Sequence, residues 1–119
     1  MTDFEIEFYK NQNGDVPVKD FVLSLDTKMG AKMLRCIEIL RKNGNDLREP
    51  YTKPLGNGIF ELRAKQGSDI SRVLYFFVIG RKIVLTNGFI KKTAKTPPKE
   101  IDLAEKYRKD YLEKNGKEL

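Results

Sequence analysis

The sequence predicts an α+β domain: a small antiparallel-meander sheet with an N-terminal strand, two helices packed on one face and a C-terminal helix. Three observations predict it. Strand-like alternation at the N-terminus gives way to two stretches of helical period, three strand-like runs follow in close order after residue 58, and a Pro-Pro pair opens a last helical stretch. At 119 residues the chain reads as one domain, 1–119, long enough to bury a core without disulfides or a structural metal.

Phe4, Ile6 and Phe8 alternate with Asp3, Glu5 and Glu7, the period of a half-buried strand, and turn residues Asn11 to Asp15 follow. Pro17 suits a first helical turn, and Val18, Phe21, Val22 and Leu25 fall at i, i+3, i+4 and i+7. Asp26 or Thr27 caps a second, longer helix. Its stripe is Met29, Met33, Cys36, Ile37 and Leu40, with Lys28, Lys32, Arg35 and Lys42 off it, and Gly44 ends it. The methionines read as core rather than as a cofactor box. Residues 43–58, rich in Gly, Asn and Pro, read as a loop. Strands are expected near 59–65, 70–79 and 82–90, joined by Gln66-Gly67-Ser68-Asp69 and by a two-residue Gly80-Arg81 turn. The run from Val73 to Ile79 is apolar on both faces and belongs in the middle of the sheet. Thr96-Pro97-Pro98 opens the last helix, with Ile101, Ala104, Tyr107 and Tyr111 on one stripe as far as about Glu113.

Composition closes off several chemistries. The chain has no histidine, which removes imidazole acid–base catalysis, His-based zinc sites and Ser-His or Cys-His nucleophile pairs. A glycine-rich phosphate loop and a C-x-x-C pair are likewise missing, so neither a nucleotide cofactor nor a metal is expected. Cys36 is the sole cysteine and reads as a buried structural thiol. No apolar run approaches the roughly 20 residues of a membrane span. The acidic, alternating N-terminus is unlike a secretory signal, so the expected compartment is the cytoplasm.

Charge carries the positive signal. Residues 1–58 hold nine basic and nine acidic groups, so the net +6 arises entirely beyond residue 58. From Arg63 to Lys99 there are nine basic residues and one acid, Asp69, which points to a polyanion-binding face built on the sheet. The basic residues of the last helix alternate with Glu100, Asp102, Glu105, Asp110 and Glu113 and read as a solvated, paired surface. If the four-residue turn sets Lys65 opposite Ile70, Arg63 lies opposite Arg72, and the next turn sets Arg72 opposite Phe89. Glu61, Lys65 and Lys91 then share the face of that row, while Leu62, Val73, Tyr75, Phe77, Val84 and Ile90 point to the other. The expectation is a wet, basic side and a dry side covered by the two amphipathic helices. Like charges directly opposite on a sheet are destabilising unless an anion sits between them. A phosphodiester fits, with Arg gripping phosphate oxygens and Phe89 stacking a base.

Phe60-Glu61-Leu62-Arg63, Arg72-Val73-Leu74-Tyr75 and Asn87-Gly88-Phe89-Ile90-Lys91-Lys92-Thr93, with Lys95-Thr96-Pro97, resemble the RelE/ParE toxin superfamily, nearest its phage-derived HigB-like branch. The order of elements agrees over nearly the whole chain. The resemblance implies a RelE-like fold and the toxin of a type II toxin–antitoxin pair. It further implies an endoribonuclease that cuts mRNA on the ribosome, without a cofactor, and that a helix-turn-helix, HigA-like antitoxin neutralises, the complex being a heterotetramer. It places the family's functional residues on Arg63, Arg72, Phe89, Lys91 and Lys92. Asn87 stands where many relatives have histidine, which takes a histidine-assisted mechanism away from this chain.

The resulting assignment gives Arg63 and Arg72 charge stabilisation in the transition state, with the proton taken by Glu61 or by Lys91 with a depressed pKa. Glu61 reads equally as the partner that neutralises Arg63. Lys65, Phe89, Lys92 and Lys95 are candidate RNA contacts, and the alternating register favours Lys91 over Lys92 for facing the RNA. Two other readings stay open: a ParE-like toxin that binds a protein such as gyrase and is not a nuclease, and a non-catalytic nucleic-acid-binding module.

Overall fold

The computed structural model describes residues 3–90 and 95–115. Strand β1 (Glu5–Phe8) is followed by helices α1 (Pro17–Ser24) and α2 (Thr27–Asn43) and a short 3-10 turn at Gly44–Asp46. Strands β2 (Thr52–Gly56), β3 (Ile59–Gln66), β4 (Asp69–Val78) and β5 (Lys82–Ile90) then precede helix α3 (Pro98–Asn115). The five strands form one sheet in the order β1-β5-β4-β3-β2. β1 runs parallel to β5, and the remaining pairs are antiparallel. The doubly apolar strand β4 is central, as its composition requires. No helix among the described residues is long and apolar enough to cross a membrane.

Local chemistry accounts for the helix ends. Pro17 occupies the first turn of α1, and the Asp26 carboxylate accepts a 2.8 Å hydrogen bond from the Met29 amide at the start of α2. Gly44 closes α2 at φ +54°, and a Cβ there would lie 2.0 Å from the Phe4 ring. Only glycine lets β1 cross the helix end so closely.

Val18, Met29, Met33 and Leu40 of α1 and α2 bury themselves against Leu62, Val73, Tyr75 and Leu85, so these two helices cover one face as expected. Cys36 is buried there. The approach of α1 to β5 is tight, since a Cβ on Gly88 would meet the Phe21 ring at 2.3 Å. Gly88→Ala is therefore expected to cost about 1–3 kcal/mol through overpacking. Urea unfolding measures it, and an unchanged midpoint would show that α1 yields without strain.

The opposite face is not wet. Helix α3 lies on it, and Leu74, Phe76, Val78 and Val84 form a second core with Ala104 and Tyr111. Tyr9 clamps the helix, its hydroxyl donating to Asp110 at 2.5 Å and its ring stacking on Tyr107 at 4.5 Å, while the Tyr111 hydroxyl donates to Glu7 at 2.9 Å. Charged pairs such as Lys114–Asp110, 3.1 Å apart, complete the mixed-charge surface read from the sequence, but the helix's narrow apolar stripe is committed to the sheet. A basic, solvent-facing sheet is thereby excluded over most of this face.

The register of β4 and β5 differs from the expected one in two places. The β4–β5 connection is a three-residue loop, Ile79 to Arg81, because Val78 pairs with Lys82. A bulge between Leu74 and Tyr75, opposite Thr86, then shifts the pairing by one, and the Thr86 hydroxyl donates to the Leu74 carbonyl at 3.1 Å. The longer loop and the bulge cancel beyond Leu74, so Arg72 still faces Phe89. Between loop and bulge they do not cancel, and Val84 pairs with Phe76 on the α3 side instead of joining Val73 and Tyr75. Strand β2 lies inside the stretch read as loop, and it pairs with β3 as an edge strand.

Candidate functional site

The β3–β4 pairing puts Arg63 directly opposite Arg72, and Arg72 opposite Phe89 on β5, which is the row expected from the turn chemistry. Glu61, two residues before Arg63, projects from the same face. Its side chain is 0% exposed and sits between the two guanidinium groups, accepting from Arg63 Nε at 2.8 Å and standing 3.7 Å from Arg72 Nη1. The other carboxylate oxygen accepts from the Thr96 hydroxyl at 2.5 Å. The anion that relieves the opposed arginines is thus supplied by the protein itself. Enclosed in this way, Glu61 partners both arginines and Thr96 at once.

The arginines are not equivalent. Arg72 is 0% exposed, which overturns the expectation that both converge on solvent, whereas the Arg63 side chain remains 23% exposed. A carboxylate behind and solvent in front leave Arg63 as the member of the pair that water reaches. Arg72 lies behind it as a second charge in a low-dielectric setting, where electrostatic effects are stronger than in water.

The remaining candidates divide. Lys65 is exposed on the Arg63 face, and Lys95 is exposed beside Thr96. Phe89 is half-buried and packs against the second core, so its ring is only partly available for stacking. Lys91 and Lys92 lie outside the described residues. Asn87 is buried, donating to the Glu100 carbonyl at 3.2 Å and its carboxylate at 3.1 Å while accepting from Thr86 at 2.7 Å. This asparagine pins the first turn of α3 to β5. Among the described residues no cluster of His, Cys, Asp and Glu could hold a metal ion.

A groove of about 500 Å³ opens beside Arg63. It forms where strand lengths mismatch: β2 pairs with β3 only as far as Thr52–Leu62, while β3 runs on to Gln66 alongside α2. The Arg63 amide still reaches the Tyr51 carbonyl at 2.9 Å, Cys36 Sγ donates to the Arg63 carbonyl at 3.3 Å, and Lys32 Nζ donates to the Lys65 carbonyl at 2.9 Å. Burial pushes the Cys36 thiol pKa up, against the opposing pull of Lys32 and Arg35, and keeps it a neutral wall atom. Lys32, Arg35, Arg63 and Lys65 line the groove together with Tyr51, and no acidic side chain does. In the sequence, Lys32 and Arg35 belong to an off-stripe helix surface and Tyr51 to a loop. Their spacing of three on one helix, with no acid between, was the available signal.

No curated protein matches the chain. A family model described as phage-derived protein Gp49-like (DUF891) matches residues 20–109, a span that starts in α1, ends in α3 and contains Glu61, Arg63, Arg72 and the whole groove. The chain therefore belongs to the phage-derived Gp49-like family, which is associated with toxin–antitoxin pairs and related to RelE-like toxins.

Proposed function

We propose that this protein is a HigB-like toxin of a type II toxin–antitoxin pair, an endoribonuclease that cuts mRNA on the ribosome and is neutralised by a helix-turn-helix antitoxin. The observation that carries the reading is Arg63, held by a buried carboxylate at the border of a groove lined by four cations and no acid. A phosphodiester is the ligand that such a guanidinium fits best.

RNA brings its own nucleophile. The 2′-hydroxyl loses its proton, its oxygen bonds to the adjacent phosphorus, and the bond to the 5′-oxygen of the next nucleotide breaks, leaving a 2′,3′-cyclic phosphate and, after protonation, a 5′-hydroxyl. The negative charge that builds on the phosphorane oxygens is met by Arg63, with Arg72 behind it and Lys65 beside it. Glu61 and Thr96 hold Arg63 in place, and the proton acceptor falls to Lys91 of the segment that follows β5. With no histidine in the chain to move the proton, orientation of the mRNA by the ribosome supplies much of the rate. Free RNA is then a poor substrate.

Induced expression with and without the neighbouring reading frame, followed by primer extension on a translated mRNA, tests the proposal. The expected result is growth arrest with new 5′ ends inside the message, both suppressed by the co-expressed antitoxin and by removal of the message's start codon. Arrest with intact mRNA would replace the nuclease with a ParE-like toxin acting on a protein target. Neither arrest nor cutting, with RNA affinity falling steeply as salt rises, would leave only a binding module.

A further inference from the structure

We propose that the groove between α2 and the open end of β3 is a nucleotide subsite, in which the base next to the scissile phosphate rests on Tyr51 and the apolar floor while Lys32 and Arg35 hold a flanking phosphate. The inference rests on the RNA reading above and specifies where the strand lies. Three observations support it. Arg63 belongs both to the Glu61 cluster, through its side chain, and to the wall of the groove, where its backbone bonds Tyr51 and Cys36, so the groove borders the cluster. The walls divide by chemistry: Cys36, Ile39 and Ala64 give an apolar surface, and the four cations give the charge. Tyr51 is 42% exposed at the rim, which leaves its ring available to a base.

Size selects among occupants. About 500 Å³ lies within the range of small-ligand pockets and suits one nucleotide, whereas a helix about 10–12 Å across needs a longer trough. Stacking on a tyrosine accepts any base, so the subsite adds affinity and register with little sequence discrimination.

The probe is a fluorescein-labelled pentanucleotide of 2′-O-methyl RNA, which lacks the nucleophilic hydroxyl and so reports binding without cleavage. Anisotropy titrations of the full chain compare wild type, Tyr51→Ala, Tyr51→Phe and the double variant Lys32→Gln/Arg35→Gln, each checked for an unchanged melting temperature. Tyr51→Ala is expected to weaken binding roughly five- to a hundredfold and Tyr51→Phe hardly at all. The double variant is expected to reduce the slope of log affinity against log salt by about 0.7, the share of one phosphate. An oligonucleotide with one abasic position, moved along the strand, should abolish the Tyr51→Ala effect at one register, which a merely structural role of Tyr51 would not do.

Variants that bind the probe as wild type does, while wild type cuts translated mRNA, overturn the subsite and leave the nuclease reading intact. Loss of probe binding in the variants of a protein that never cuts mRNA sustains the groove and overturns the nuclease. A wild-type chain that ignores the probe but binds poly-glutamate overturns the subsite in favour of an acidic protein partner.

Discussion

Replacing Glu61 with leucine is expected to destabilise the domain by about 3–5 kcal/mol, because it takes the Glu61 carboxylate from the enclosed Arg72 guanidinium. Against a total stability of about 5–15 kcal/mol, that brings the chain close to unfolding at growth temperature. The loss should be recovered in large part by a second substitution, Arg72→Met, since exchanging a whole buried ion pair for apolar groups is often neutral or stabilising. Arg63 does not impose the same penalty because its side chain reaches water. Urea unfolding of the single and double variants measures the coupling. If Glu61→Leu proves as stable as the wild type, the carboxylate is not the element that makes two opposed arginines compatible with this sheet.

Arg63→Ala carries the largest expected functional effect, a loss on the order of 2–4 kcal/mol in transition-state stabilisation, or roughly thirty- to a thousandfold in cleavage rate. Its effect on stability should be small, because Glu61 keeps Thr96 and Arg72 as partners. That separation makes Arg63 the cleaner probe of the two arginines. Arg72→Ala is expected to abolish growth arrest as well, but through loss of a buried charge pair that also supports the fold. The stable Glu61→Leu/Arg72→Met protein resolves the ambiguity: Arg63 remains, but without its anchor, and mRNA cleavage should fall almost as far as in Arg63→Ala. Growth arrest by Arg63→Ala at matched protein levels would remove this residue from the chemistry.

Much of this architecture is legible in the sequence, and the exceptions have physical causes. The Arg63–Arg72–Phe89 row follows from counting residues across two turns, yet it survives only because the three-residue loop at Ile79–Arg81 and the bulge at Thr86 offset each other. A bulge leaves no periodic trace in so apolar a strand, and Val84 is accordingly read onto the wrong face. Strand β2, Thr-Lys-Pro-Leu-Gly, has neither alternation nor β-branched weight and is held by its neighbour β3 at the sheet edge. The stripe of α3 through Ala104, Tyr107 and Tyr111 is legible, but the charge of the helix hides which face of the sheet it covers. Glu61 reads from sequence as either base or partner, and the structure shows it buried as a partner of both arginines. Burial depends on α3 and Thr96 arriving from more than thirty residues away, which local pattern does not encode.

The parallel pairing of β1 with β5 bears on how the polypeptide is made. Glu5 to Phe8 leave the ribosomal tunnel early, but their partners Lys82 to Leu85 are translated only after both helices and three further strands. Until then the first strand has no sheet edge to join, and Tyr9 has neither Asp110 nor Tyr107 to meet. Closing that long loop is entropically slow. A nascent chain therefore completes its two-sided core only once α3 has followed β5 out of the ribosome.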